Sequence, residues 1–478
     1  LDNRVGSLTY RQLSVTNVDD RDNPFVAASV ELSRPIVDFT KTHTAGIQLV
    51  NDWSRPVELR AVPLSNADAE LPAAYSVLPF EGAERVFPSG RDVVVLSHEW
   101  LDGQQVTRLT SVDYSDPRNP VRRGEIKVET NGALYGYGAT GEATQSEVMQ
   151  VDANLFVLAQ DNGKERNFEL VSFANPWKPE ILSTAGVPAQ GEVVEVRLVG
   201  SDIYLTTFEP SQKSAIEEPV NEEPVTEEPV IDPAVDPAVE PSEGSAVERD
   251  SMWMPPFHRS VETGKHFLTR IAFDGVRLAP SVPVNVPGAL VDVDASGRLI
   301  TLDQRVPVDG VTEIDRALDT LHVNFATGTA KLKGLLDVDD GVITAMLRGS
   351  SVYYTTTEQE TGFCPRFRCG WWMHGDSNWT LHTVRVRDYR MTEAGSLLLQ
   401  KNGSGNLLDI QQVGGSRHGF LTFGMGGFGL LNLNDANAPK LSAFMPWNGW
   451  ASEVLVDATR REATLWLGDS GVRTIPLP

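Results

Sequence analysis

The sequence predicts an all-β protein assembled from a repeated four-strand unit, and three observations carry that expectation. Forty Gly and thirty Pro punctuate the chain. The runs between them are short, β-branched and alternating, as in Val93-Val94-Val95-Leu96, Asp202–Thr207 and Ser351–Thr355. One phrase also recurs along the length. Helical periodicity is nearly absent, and Thr312–Leu321 is the one candidate for a short helix.

The recurring phrase is clearest over Val112–Pro120, which reads Val-Asp-Tyr-Ser-Asp-Pro-Arg-Asn-Pro. Val171–Pro179, Leu431–Pro439 and Thr16–Pro24 repeat its form, and Val50–Pro56 is a shorter version. In each, a strand ends, Asp or Asn turns the chain through its own side-chain hydrogen bond, and Pro blocks continuation of the ladder.

Two strands precede most phrases and one follows. One unit runs Glu192–Leu198, Asp202–Phe208, His266–Phe273 and Arg277–Val286, and comparable units cover about 84–129, 146–186, 288–336, 338–400 and 404–445. Residues 449–478 supply three strands, Ala451–Val456, Ala463–Leu467 and Val472–Leu477. Four-stranded antiparallel sheets repeated around an axis are the blades of a β-propeller. Eight blades are expected, with seven as the alternative, and a ring needs closure because an open blade exposes edge groups. The expected division is residues 1–64 as N-terminal strands that close the ring and form an additional or accessory blade, and residues 65–478 as the main propeller. Gln12–Val18 reads as a third strand, duplicating one that the C-terminal unit already has.

The phrases around Val112, Val171 and Leu431, with Phe428–Asn434 before the last, resemble the LVIVD-type repeats of bacterial secreted β-propeller proteins. That resemblance implies a periplasmic or surface-exposed propeller and brings no catalytic residues with it.

Antiparallel order decides which loops share a face. The second-to-third loops lie together with the connections between blades, and the long insertions expected at Leu101–Gln105, Glu209–Lys265, Gln304–Asp319 and Thr357–Asn378 are all second-to-third loops. They therefore decorate one face, the pattern of a repeat scaffold that presents a binding surface. Of the ten tryptophans, Trp100, Trp253, Trp371, Trp372 and Trp379 fall in or beside these insertions, and Trp447 and Trp450 fall in a connection on the same side. Trp53 and Trp177 belong to opposite-face turns. With Phe257 and Phe367, the candidate contacts for a protein or polysaccharide are Trp100, Trp253, Trp371, Trp372, Trp447 and Trp450. Packing of the same rings as a cap on the blade tops is the competing role.

Charge narrows the partner. Sixty-five acids against 41 bases give a net charge of −24, which excludes nucleic acid as a natural partner. Twelve acids and two bases fall between residues 213 and 250, inside an acidic, Pro-rich stretch at 211–250 that reads as an unpacked, solvated tether. No apolar run reaches the length of a transmembrane helix, and no basic-then-apolar leader is seen. Cys364 and Cys369 are the only cysteines, and their spacing suits a hairpin loop closed by a disulfide.

Other motifs do not hold up. Gly424–Gly429 matches a dinucleotide fingerprint but lies between strands with no helix to follow. Gly468–Gly471 has a serine-nucleophile form without matching His and Asp context. Asp292–Gly297 and Asp337–Gly341 hold clustered carboxylates but lack an EF-hand continuation. His266, His322 and His382 fall at similar third-strand positions and read as satisfied strand histidines. No cofactor, metal or catalytic residue is expected. The resulting expectation is a secreted, periplasmic or cell-surface scaffold that binds a macromolecule through its decorated face. The alternative is a hydrolase or lyase with its site at the axial channel, signalled by two or more carboxylates there together with His or Arg.

Overall fold

The structure is a computed structural model. It describes residues 4–9, 12–17, 25–31, 36–51, 56–64, 74–101, 104–129, 135–137, 143–145, 148–161, 164–210, 264–294, 297–305, 315–338, 342–358, 378–401, 405–423, 427–446, 453–466 and 472–478.

Eight antiparallel sheets follow one another as blades around a ring, with no α-helix among the described residues. Blade 1 comprises Ile36–Lys41, Gly46–Val50, Glu58–Val62 and Ser76–Pro79, and blade 2 Ala83–Ser89, Asp92–Leu101, Gln104–Asp113 and Val121–Glu129. Blade 3 is Val148–Asp152, Leu155–Asp161, Glu165–Ser172 and Glu180–Pro188. In blade 4, Glu192–Val199, Asp202–Pro210 and Gly264–Phe273 are completed by an outer strand split into Leu278–Pro280 and Val284–Val286. Blade 5 is Ala289–Val293, Leu299–Arg305, Asp315–Asn324 and Thr329–Val338, and blade 6 Val342–Arg348, Ser351–Glu358, Asn378–Arg387 and Arg390–Lys401. Blade 7 is Gly405–Val413, Ser416–Phe423, Gly427–Asn432 and Lys440–Pro446. Blade 8 is Glu453–Asp457, Glu462–Trp466 and Val472–Pro476, three strands among the described residues.

The core is divided among the joins between blades. Strand residues alternate sides, so in blade 3 Phe156 and Leu158 pack on blade 2 while Val157 and Ala159 pack on blade 4. Being covered on both sides explains why these strands read as unbroken apolar runs rather than as alternation. One apolar cluster fills each of the eight joins, from Leu49, Leu59, Val93 and Val95 between blades 1 and 2 to Phe420, Phe428, Leu465 and Leu477 between blades 7 and 8. The ring closes where the N-terminal strand Ile36–Lys41 meets blade 8. There Ile36, Phe39 and Val50 pack with Leu455, and Lys41 Nζ donates to Thr464 Oγ1 at 2.6 Å.

The recurring phrase is the turn from third to outer strand, and its Asp or Asn turns the chain as expected. Arg118 N donates to Asp116 Oδ1 at 3.0 Å, Trp177 N to Asn175 Oδ1 at 3.1 Å, and Asn437 N to Asp435 Oδ1 at 2.9 Å.

Three expectations change. The helix over Thr312–Leu321 is replaced, in its described part, by the third strand of blade 5. Leu318 and Leu321, an odd number of residues apart on this strand, face opposite joins although their spacing imitates a helix turn. The insertion expected at Leu101–Gln105 is a tight hairpin, since pairing runs through to Leu101 opposite Gln104. The fourth strand expected for blade 8 from the N-terminal region is not among the described pairings. Arg4–Thr9, Gln12–Asn17 and Phe25–Glu31 instead pair with one another as a separate sheet.

A hairpin of Tyr135–Tyr137 and Ala143–Gln145, in the connection between blades 2 and 3, lies against the inner strand of blade 4. Three-residue strands give no periodicity, so nothing in the hydropathy pattern marks it.

Candidate functional site

The first strand of each blade faces the axis, and several successive inner strands lie side by side there. In seven of them the pairing with the second strand slips by one residue, placing Asp38, Arg85, Asp152, Glu195, Asp292, Thr344 and Asp409 just after the slip. A bulge re-aims the side chain that follows it. An acid suits that position because its oxygen accepts the backbone amide that follows it. Phe39 N donates to Asp38 Oδ1 at 2.8 Å, Ala153 N to Asp152 Oδ1 at 2.7 Å, Val293 N to Asp292 Oδ1 at 2.8 Å, and Ile410 N to Asp409 Oδ1 at 2.7 Å.

The carboxylates also reach sideways. Asp38 Oδ2 accepts Val86 N of blade 2 at 2.7 Å. Arg348 of blade 6 reaches both neighbours, donating from Nη1 to Asp292 Oδ2 at 3.2 Å and from Nη2 to Asp409 Oδ1 at 3.0 Å. Its Nε donates to the Ile410 carbonyl at 3.1 Å, and Gln411 Nε2 donates to Asp409 Oδ2 at 2.6 Å. In blade 4, Arg197 holds Glu195 Oε1 through Nε at 2.8 Å and Nη2 at 2.5 Å. Two carboxylates and an arginine at the axis were the expected sign of an enzyme. Here both oxygens of Asp292 and Asp409 and all three nitrogens of Arg348 are engaged within the fold, so the cluster fastens blades 5, 6 and 7 together. The sequence did carry a signal for this belt. The pattern apolar-apolar-acid-apolar recurs at Ile36–Phe39, Val193–Val196, Leu290–Val293 and Leu407–Ile410.

The two ends of the strands differ. At one end lie the turns from inner to second and from third to outer strand. These turns dock on the preceding blade: Ser76 Oγ donates to the Pro117 carbonyl at 2.7 Å, Gly124 N to Pro176 at 2.7 Å, and Thr320 Oγ1 to Tyr389 at 2.6 Å. Trp177, in one of them, is 62% exposed, with the Arg123 guanidinium 5.6 Å from its ring. Arg123 in turn bridges Asp92 at 2.9 Å and Asp113 at 2.5 Å. Burial holds Asp92 above the usual carboxylate range despite that partner. Burial acts on Asp113 too, but hydrogen bonds from Ser115 and Arg123 outweigh it and hold Asp113 below that range.

At the other end, second strands hand over to third strands. Residues 211–263 depart from Pro210 and return to Gly264, 306–314 join Arg305 to Asp315, and 359–377 join Glu358 to Asn378. Of the candidate contacts, Trp253, Phe257, Phe367, Trp371, Trp372, Trp447 and Trp450 lie outside the described residues, as do Cys364, Cys369 and the acidic stretch 211–250. Trp100 belongs to the second strand of blade 2, opposite Gln105, and its side chain is likewise not described. Trp379 is fully buried, edge-on to Phe423 with ring centroids 5.2 Å apart.

The three strand histidines do share third strands. His266 lies 4.9 Å from the Phe208 ring, and burial pushes its pKa down to about 4, partly opposed by a hydrogen bond to the Pro287 carbonyl. His382 stacks on Tyr354 at 4.6 Å, and its Nε2 is 2.9 Å from Thr356 Oγ1. Among the described residues, no three His, Cys, Asp or Glu side chains group as a metal site would require. No helix among them is long and apolar enough to cross a membrane.

Fold and axial belt together define an eight-bladed β-propeller. No family model matches the chain, and neither does any curated protein. Solved structures similar to it include Sqt1 of Saccharomyces cerevisiae, at 9% identity and TM-score 0.47, covering 93% of this chain and 96% of that one. The tricorn protease is similar at 10% identity and TM-score 0.39, over 99% of this chain and 37% of its own. An uncharacterized protein, lmo1340, from Listeria monocytogenes EGD-e is similar at 7% identity and TM-score 0.39, over 83% of this chain and 94% of that one. At such identities and scores nothing about activity follows.

Proposed function

We propose that this chain is a propeller scaffold, acting outside the cytoplasm, that binds a protein or polysaccharide through the face where second strands hand over to third strands. The carrying observation is the contrast between the two strand ends. One end is made of Asx turns docked on neighbouring blades. The excursions at 211–263, 306–314 and 359–377 all leave from the other. Loops held by a rigid scaffold and free to differ in length are where recognition is concentrated. Trp371 and Trp372, beside the pair Cys364 and Cys369, are the anchors this reading favours, because large aromatics dominate macromolecular contacts.

The axial cluster favours the same reading, since Asp292, Asp409 and Arg348 are committed to one another and to backbone. The test is co-purification from the native envelope fraction with the full chain and with W371A/W372A. Capture of a discrete partner that the double variant loses, at an unchanged thermal transition, supports the proposal. Equal capture by both chains, or a large loss of stability in the variant, would overturn it.

A further inference from the structure

We propose that the third-to-outer hairpin of blade 6 is an anion-docking site built from Arg385, Arg387 and Arg390. Its occupant is the acidic, Pro-rich stretch of the same chain.

The hairpin is unlike the turns that carry the recurring phrase. Arg387 pairs directly with Arg390, so Asp388 and Tyr389 alone make the turn, with φ of 46° and 67°. Two successive positive φ values define a tight hairpin turn that Asn and Gly normally fill, and a Tyr there must be held by its surroundings. Blade 5 holds it. Thr320 Oγ1 donates to the Tyr389 carbonyl at 2.6 Å, and the Tyr389 hydroxyl lies 3.2 Å from His322 Nδ1. The Arg298 guanidinium is 5.8 Å from the same ring.

The other side of the hairpin carries the charge. Val384, Val386 and Met391 pack into the join with blade 5. Arg385, Arg387 and Arg390 alternate with them along the paired strands and so project from the opposite side, where all three are exposed. Arg387 stands directly across from Arg390, and like charges so placed destabilise a sheet. None of the three makes an ion pair or a side-chain hydrogen bond with a described residue, although Asp388 and Glu393 are close in sequence. Arg123, by contrast, is taken up by Asp92 and Asp113 of its own blade. Three guanidinium groups brought together by a firmly held turn make a seat for paired carboxylates, because each can grip a carboxylate through two parallel hydrogen bonds.

Charge complementarity names the occupant. The chain carries a net charge of −24, and within its acidic stretch Glu217–Val230 repeats Glu-Glu-Pro-Val three times. Each copy offers two adjacent carboxylates, and three equivalent copies on one tether can replace one another at the arginines.

Reach permits docking within one chain. Residues 211–263 leave Pro210 and return to Gly264 at the end of blade 4 where second strands hand over to third strands. The hairpin lies at the other end of blade 6. A path between them descends one strand of ten residues, about 33 Å at ~3.3 Å per residue, and passes blade 5. At about 3.1 Å per residue an extended chain over 211–228 spans roughly 55 Å, and one over 229–263 roughly 110 Å.

The test uses the full chain. R390K keeps the charge and supplies an amine, so carbodiimide should join position 390 to a carboxylate between Glu217 and Glu228 on a monomer, read by mass spectrometry of the digest. In parallel, R385Q/R387Q/R390Q should be cut between Glu217 and Glu228 by a Glu-specific protease on the order of tenfold faster than the parent at low salt. The two rates should converge in about 1 M NaCl, where screening cuts off charge attraction beyond about 3 Å. Equal cleavage of parent and triple variant at low salt overturns the proposal. So does the absence of that cross-link, or its appearance only in a covalent dimer, which would make a second copy the donor. Should the triple variant fail to fold, the R390K cross-link decides alone.

Discussion

Gly124 N donates to the carbonyl of Pro176 at 2.7 Å, fastening the outer strand of blade 2 to the turn of blade 3. A Cβ on Gly124 would sit 2.5 Å from the Trp177 carbonyl oxygen. The same close approach recurs at Gly334, 2.0 Å from the Tyr389 oxygen, and at Gly395, 2.6 Å from that of Asn437. The recurring phrase is therefore both a turn and a clasp, and the clasp requires a bare backbone on the blade before it.

Gly124→Ala should lower stability by about 1–3 kcal/mol, because the obstacle is backbone that cannot swing aside. Gly200→Ala, where φ is 62° and nothing lies within 4 Å, should cost about 1 kcal/mol from backbone conformation alone. Paired urea titrations of the two variants check the difference.

Arg348→Met should destabilise by about 1–3 kcal/mol, since it leaves Asp292 and Asp409 without their shared donor while Arg348 itself is partly exposed. Arg348→Lys should recover only part of this, because an ammonium cannot span two carboxylates as the planar guanidinium does. A double-mutant cycle with Asp292→Asn should show strong coupling, and additivity would contradict the belt.

Two tryptophans should behave oppositely. Trp379→Ala empties a fully buried position and should cost about 3–5 kcal/mol. Trp177→Ala removes a ring that is 62% exposed and should cost less than about 1 kcal/mol. Thermal melts of both variants decide.

His266 predicts a pH effect with a definite sign. Its ordinary value of 6.5 applies to the unfolded chain, and burial lowers it to about 4 in the fold. Between those values the unfolded chain takes up the proton first. The stability is thus full above about pH 6.5, declines as pH falls towards about 4, and reaches a loss of at most about 3 kcal/mol. The difference in stability between His266→Gln and the parent should change over that window and stay flat above it. A constant difference from pH 4 to 8 would contradict this assignment.

The blades were legible because each phrase couples an Asx turn to a Pro, as in Asp116-Pro117 and Asn175-Pro176, and that chemistry is local. The axial belt was not, although Leu290–Val293 and Leu407–Ile410 show it, because a bulge is a relation between two strands. Thr312–Leu321 misled because a strand covered on both sides carries apolar residues at odd spacings too, so Leu318 and Leu321 face opposite joins at a helix-like interval. The short hairpin at Tyr135–Gln145 left no trace, having too few residues to alternate.

The join between blades 8 and 1 is the slenderest of the eight, with three buried apolar residues among those described where the others have eight to twelve. A closed loop of similar links gives way first at its weakest one. Gentle heating or stretching should part the circle beside Lys41 and Thr464 while its other contacts survive, leaving an open horseshoe that can snap shut again.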